Sequence, residues 1–289
     1  RNVLYGIATI AILVVHATRY INGQGLWKIP AKLFVYGGLG VLIFAFLTGM
    51  GSYFSLLINS SKTYYIHRFE RVFVPYLIVG GLFYLLKYFI YSFQPLDFFY
   101  EISTLSFWLD HKGPWFIAML VPVYLCMPYH NAWMRKGNET LKTFIICAVL
   151  FFISVLLYNF LPNVYHHLSL VLRTLAVLYV GFYFGKKIYH KQMISSLWII
   201  LPLFIYAIQA IVSILTHRTD WFMKEPIRNI SFAFCGISLT FLLASLFRYF
   251  PKILLYIFDC LGKVSLESYL WNTYLINVLA LFMLSYPVY

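Results

Sequence analysis

The sequence predicts an all-α protein: a polytopic transmembrane helical bundle of nine to ten spans with its N-terminus in the cytoplasm. Three observations carry that prediction. Charged residues make up 11% of the 289-residue chain, hydrophobic residues 62%, and the mean hydropathy is +0.79, whereas a soluble domain carries about 25% charge. The apolar residues fall in runs of about 16 to 25, the length that crosses a hydrocarbon core roughly 30 Å thick as a helix. Such runs, 3–15 and 143–152 among them, are apolar on every face, unlike the short alternating segments of an outer-membrane barrel.

The spans follow in order over 3–20, 33–57, 72–93, 115–129, 143–161, 168–185, 195–215, 228–247 and 264–286. Lys252 to Leu261, KILLYIFDCL, is amphipathic and too short to cross, so it reads either as an interfacial helix or as half of a tenth span. Of the 22 Lys and Arg, 12 fall in one set of alternate loops, Arg1, Lys62, Arg68 and Arg71 among them, and 7 in the other; Lys87, Arg173 and Lys263 lie in or beside spans. The richer side is expected to be cytoplasmic, which starts the chain inside. The net charge of +13 is therefore read as orientation and not as a sign of nucleic acid. Cys126, Cys147, Cys235 and Cys260 stand alone without CxxC spacing, which suggests packing residues and neither a metal site nor a disulfide framework. The chain opens on Arg1, as a trimmed one does, and its first run is too long for a signal peptide and lacks a small-residue cleavage site, so it is expected to stay as a span. No linker, repeat or domain-sized loop divides the sequence, so 1–289 reads as a single integral membrane domain.

Chemistry in such a chain belongs to polar groups placed where burial is costly. His16 lies thirteen residues into the first span, in GIATIAILVVHATRY. Imidazole is the natural proton acceptor near neutral pH, although a histidine bonded to a neighbouring span would look the same. Arg19 and Tyr20, three and four residues on, share the His16 face; they can hold a polar acceptor or anchor the helix end at the interface. In YYIHRFERVFVPY, Arg68 and Arg71 are expected to project from one helical face, where with Lys62 and His67 they form a phosphate cradle or simply carry topology charge. Trp115 and Phe116 follow Asp110, His111 and Lys112 at the start of the fourth span, where belt aromatics are common. In the last span, LGKVSLESYLWN sets Glu267 beside Ser265, Tyr269 and Asn272, as a partner for a histidine or a rim carboxylate.

Taken in order, GIATIAILVVHA, GVLIFAFLTGMGSYFS, HRFERVFVPY, GPWFIAMLVPVYLCMPY, LYVGFYFGK and LGKVSLESYLWN make the chain resemble acyltransferase family 3, the integral membrane acyltransferases that O-acylate glycans. The resemblance runs from the first span to the last. It implies an enzyme that takes an acyl group, commonly acetyl, from cytoplasmic acyl-CoA and places it on a hydroxyl of a glycan or lipid-linked saccharide. By the same resemblance His16 matches the family's essential histidine, Arg68 and Arg71 its RxxR pair, Trp115 and Phe116 its WF, and Ser265 and Tyr269 its SxxxYL element. Two positions differ: where many members have Arg, eleven residues before the histidine, this chain has Tyr5, and where the last motif often ends in His it has Asn272.

The chemistry of the residues agrees with that expectation. The phosphates of a CoA cannot enter hydrocarbon and are expected on the cytoplasmic rim against Arg68 and Arg71. The thioester then meets His16, as base for direct transfer or as the site of an acyl-imidazole intermediate. Arg19, Tyr20, Trp115 and Tyr269 are expected on the acceptor. The donor is a substrate, with no bound cofactor or metal expected, in a bacterial inner membrane; the oligomeric state is not legible. A polysaccharide exporter or flippase is the alternative reading, and a non-catalytic scaffold a third. The absence of an inverted repeat and of paired interrupted spans favours the enzyme over the exporter.

Overall fold

The computed structural model describes residues 1–17, 35–91, 94–216 and 225–283; among them it has helices and no strand. The helices are α1 (Asn2–Ala17), α2 (Leu39–Ile58), α3 (Ser61–Arg68), α4 (Val74–Tyr91), α5 (Pro95–Ile102), α6 (Leu105–Asp110), α7 (Trp115–Met134), α8 (Glu139–Phe160), α9 (Pro162–Tyr189), α10 (Leu197–Thr216), α11 (Glu225–Leu246), α12 (Lys252–Lys263) and α13 (Ser265–Met283). Five helical stretches, 36–58, 61–89, 139–160, 162–189 and 225–249, are long and apolar enough to cross a membrane, and two shorter apolar helices cover 2–16 and 199–209. The fold is all-α, and the protein is an integral membrane protein. Each of the nine expected spans falls on a helix, but the ends differ. Asn138 accepts from the Leu141 N–H at 3.0 Å and starts α8 four residues before the expected 143. Pro162 at the first position of α9 likewise extends that helix at its N-terminal end.

The chain divides into two compact units, residues 1–57 with 131–263, and residues 58–130 with 264–289. In the first unit glycines set how closely helices meet. A Cβ on Gly6 would lie 2.0 Å from the Phe258 carbonyl oxygen, and one on Gly262 would lie 1.9 Å from that of Asn2. The amphipathic segment 252–261 is thus a helix of its own, α12, laid backbone to backbone on α1. Gly49 and Gly181 do the same between α2 and α9, where an added Cβ would fall 1.8 Å from Leu178 O or 2.1 Å from Phe46 O. Gly181 and Gly185, four residues apart on α9, both meet α2 of the same chain, with Met50 against Gly185. Around this crossing Phe46, Phe184 and Phe241 form a ring cluster with centroids 5.0 to 6.0 Å apart.

In the second unit α4 packs on α13, with Tyr274 against Phe83 at 4.8 Å and Tyr84 at 5.7 Å. The stretch between the third and fourth expected spans folds into α5 and α6. Tyr76 donates its hydroxyl to Ile102 O at 3.1 Å, and Lys87 pairs with Glu101 at 2.7 Å. Thr104 and His111 flank α6 with φ of 67° and 62°, positive values that end a helix and turn the chain. Of the cysteines only Cys235 is buried and Cys147 is half-buried; Cys126 and Cys260 are exposed, so those two do not pack in a core.

Candidate functional site

The Arg68 and Arg71 segment is built by a break in helix geometry. Ser60 caps α3 by accepting from the Thr63 N–H at 3.2 Å, and α3 runs into a π-helical turn over Phe69–Phe73, closed by the Val74 N–H to Phe69 O. Pro75 explains the position of that turn. It has no N–H to give Arg71 O, and its ring would crowd that carbonyl in an unbroken α-helix. A wider turn separates residues three apart further around the axis than an α-turn does. The two arginines therefore meet different surroundings. The Arg68 guanidinium lies over the Tyr64 and Tyr124 rings at 5.1 and 5.4 Å, and its Nε is buried, whereas Arg71 is exposed. Tyr64 and Tyr124 are 0% and 4% exposed, and Tyr65 ties α3 to α7 by donating to Leu125 O at 3.0 Å. Arg68 is thus a cation on a buried aromatic shelf, and Arg71 an exposed one three residues on. Lys62, His67 and Glu70 are exposed.

The WF and SxxxY elements, some 150 residues apart in the sequence, are brought together. Phe116 stacks edge-on against Tyr269 at 5.9 Å, both buried, and Trp115 lies half-buried beside Phe116 at 5.7 Å. Ser265 is buried near the start of α13, and Glu267 and Asn272 are half-buried. His16 is half-buried in the last turn of α1. Tyr5, eleven residues before His16, is a packing residue with its ring 5.1 Å from Phe44. Arg19 and Tyr20 lie outside the described residues. His16 belongs to the first unit, and Arg68, Arg71, Trp115 and Tyr269 to the second.

Two features escaped the sequence reading. The aromatic shelf under Arg68 joins Tyr64 to a residue sixty positions later, which no local pattern announces. In the sequence Arg173 reads only as a charge in or beside a span. In the structure its Nη1 donates to Asn229 Oδ1 at 3.2 Å, Asn229 Nδ2 donates to the Tyr165 hydroxyl at 3.0 Å, and the guanidinium lies 4.9 Å from the Phe232 ring. A charge this deep in a span was itself the signal, because it must have partners.

These elements define an integral membrane protein with a shelved arginine on one unit and a half-buried histidine on the other. A family model described as an acyltransferase domain matches residues 2–288, and so covers both units. The chain belongs to acyltransferase family 3 and is a membrane acyltransferase. Comparison with curated proteins and with solved structures gives no match.

Proposed function

We propose that this acyltransferase moves an acyl group, acetyl in the first instance, from cytoplasmic acyl-CoA to a hydroxyl of a glycan or lipid-linked saccharide at a bacterial inner membrane. The acyl-CoA is consumed as a donor substrate, without a bound cofactor. Arg68 and Arg71 receive its phosphates, His16 is the base, and Arg19, Tyr20, Trp115 and Tyr269 line the acceptor. In the transfer step the acceptor oxygen bonds to the thioester carbon while its proton passes to the His16 imidazole. The C–S bond then breaks, and the CoA thiolate recovers that proton from the imidazolium. The observation that supports the donor half of this reading is Arg68 on its shelf. A guanidinium packed against two buried rings presents its N–H donors to a phosphate at less entropic cost than a free side chain.

The test is transfer itself. Purified protein in liposomes, given acetyl-CoA labelled in the acetyl group and a saccharide acceptor, is expected to place label on the saccharide and release an equal amount of CoA thiol. Saccharide crossing the bilayer with no thiol released would replace this reading with the exporter.

A further inference from the structure

The helix ends around Glu139 enclose a pocket that the transfer chemistry does not use. A cavity of about 210 Å³ is lined by Tyr53 and Leu57 of α2, Arg135, Glu139 of α8, and Tyr183, Lys186 and His190 at the end of α9. A second cavity of about 300 Å³ shares Glu139, Tyr183 and Lys186 and adds Thr140, Lys187 and Gln192. All these residues belong to the first unit. One charge pair is satisfied internally, since Lys186 bonds to Glu139. That leaves Arg135, and Lys187 over the Tyr183 ring at 5.2 Å with its ammonium on Gln192 Oε1 at 3.2 Å, as cations with no carboxylate partner among the described residues. Tyr183 is fixed by a 2.8 Å hydrogen bond to Thr140. The lining is therefore basic, with Arg135 in the first cavity and Lys187 in the second, and Leu57 and Phe182 add apolar surface to the first.

What leads away from the pocket identifies its occupant. Thr140 heads a row at i+4 spacing, Phe144, Ala148, Phe152 and Leu156, every member of which is exposed. On a membrane-spanning helix such a stripe faces hydrocarbon. A basic pocket at the end of a lipid-facing stripe has the two halves of a phospholipid site. We propose that this pocket seats the phosphate headgroup of an anionic phospholipid, with Arg135 and Lys187 on the phosphate and an acyl chain along Phe144 and Phe152. The excess of positive charge selects against zwitterionic lipids.

The inference goes beyond the transfer reading, and its test does not require turnover. Protein in detergent is titrated with phosphatidylglycerol or phosphatidylcholine and followed by native mass spectrometry. Phosphatidylglycerol is expected to bind at least tenfold tighter than phosphatidylcholine. That preference should be lost in the double variant Arg135→Gln and Lys187→Gln, and kept in the charge-matched control Arg248→Gln and Lys252→Gln. Arg135→Lys, which preserves charge, should retain most of the binding, and equal unfolding temperatures check that each variant is folded. An equal loss in the control variant, or none in the pocket variant, would overturn the site. Displacement of bound phosphatidylglycerol by free acetyl-CoA would also overturn it, because the pocket would then belong to the donor. Transfer that fails while selective lipid binding persists would count against the donor assignment and not against this pocket.

Discussion

At the scale of single residues, the two arginines of RxxR are not equivalent. Lys in place of Arg68 would keep the charge but lose the guanidinium's forked N–H donors and weaken its contact with Tyr64 and Tyr124, a cation–π interaction worth about 0.5 to 2 kcal/mol in full. At the exposed Arg71 an ammonium can follow a phosphate nearly as well. Arg68→Lys is therefore expected to weaken acyl-CoA binding several-fold and Arg71→Lys hardly at all, whereas Ala at either position should cost roughly 10- to 100-fold through lost charge-assisted bonds. Isothermal titration with a non-hydrolysable donor reads this, and equal effects of the two Lys variants would remove the shelf from the argument. In the proposed transfer His16 carries the chemical step. His16→Gln and His16→Ala should both lower transfer by about 10² to 10⁴ per folded molecule with donor affinity unchanged. Near-normal turnover by a well-inserted His16→Gln protein would return the residue to a packing role.

At the scale of elements, close helix crossings hold the first unit together, and neighbouring glycines of α2 test that directly. Gly49 faces the α9 backbone, where an added Cβ would sit 1.8 Å from a carbonyl oxygen, while a Cβ added at Gly51 would meet nothing within 4 Å. Backbone cannot yield as a side chain can, so Gly49→Ala should destabilise by about 1 to 3 kcal/mol or abolish insertion. Gly51→Ala should be neutral or slightly stabilising, by up to about 1 kcal/mol, since Ala is the better helix former. Thermal unfolding in detergent compares the two, and a stable Gly49→Ala protein would show that α2 and α9 are further apart than described. The π-turn before Pro75 belongs to this scale as well. One missing N–H, four residues beyond Arg71, changes where two cations point.

At the scale of the whole molecule, the charge count makes a claim about sidedness that the helices do not settle. If the 12 basic residues mark the cytoplasm, Ser61, exposed at the start of α3, lies inside. A cysteine at Ser61 should then resist impermeant thiol reagents in intact cells and react once the membrane is opened. The background should lack the native cysteines, because Cys126 and Cys260 are exposed. Ready labelling in intact cells would invert the topology and move the donor site to the opposite face.

The sequence by itself determined the helical class, the nine helices that meet the nine expected spans, and the family, because hydropathy and motif order are local properties read along one dimension. Arg68, Arg71, Trp115 and Tyr269 were nameable for the same reason. What those residues touch was not. The shelf from Tyr64 to Tyr124, the contact of Phe116 with Tyr269, the network from Arg173 through Asn229 to Tyr165, and the pairing of α1 with α12 all join positions far apart in the chain. The tertiary structure decided them because lipid tails are as apolar as leucine. Hydrophobicity drives a helix into the membrane without choosing its neighbour, and the choice is left to small residues that fit and polar groups that must find partners.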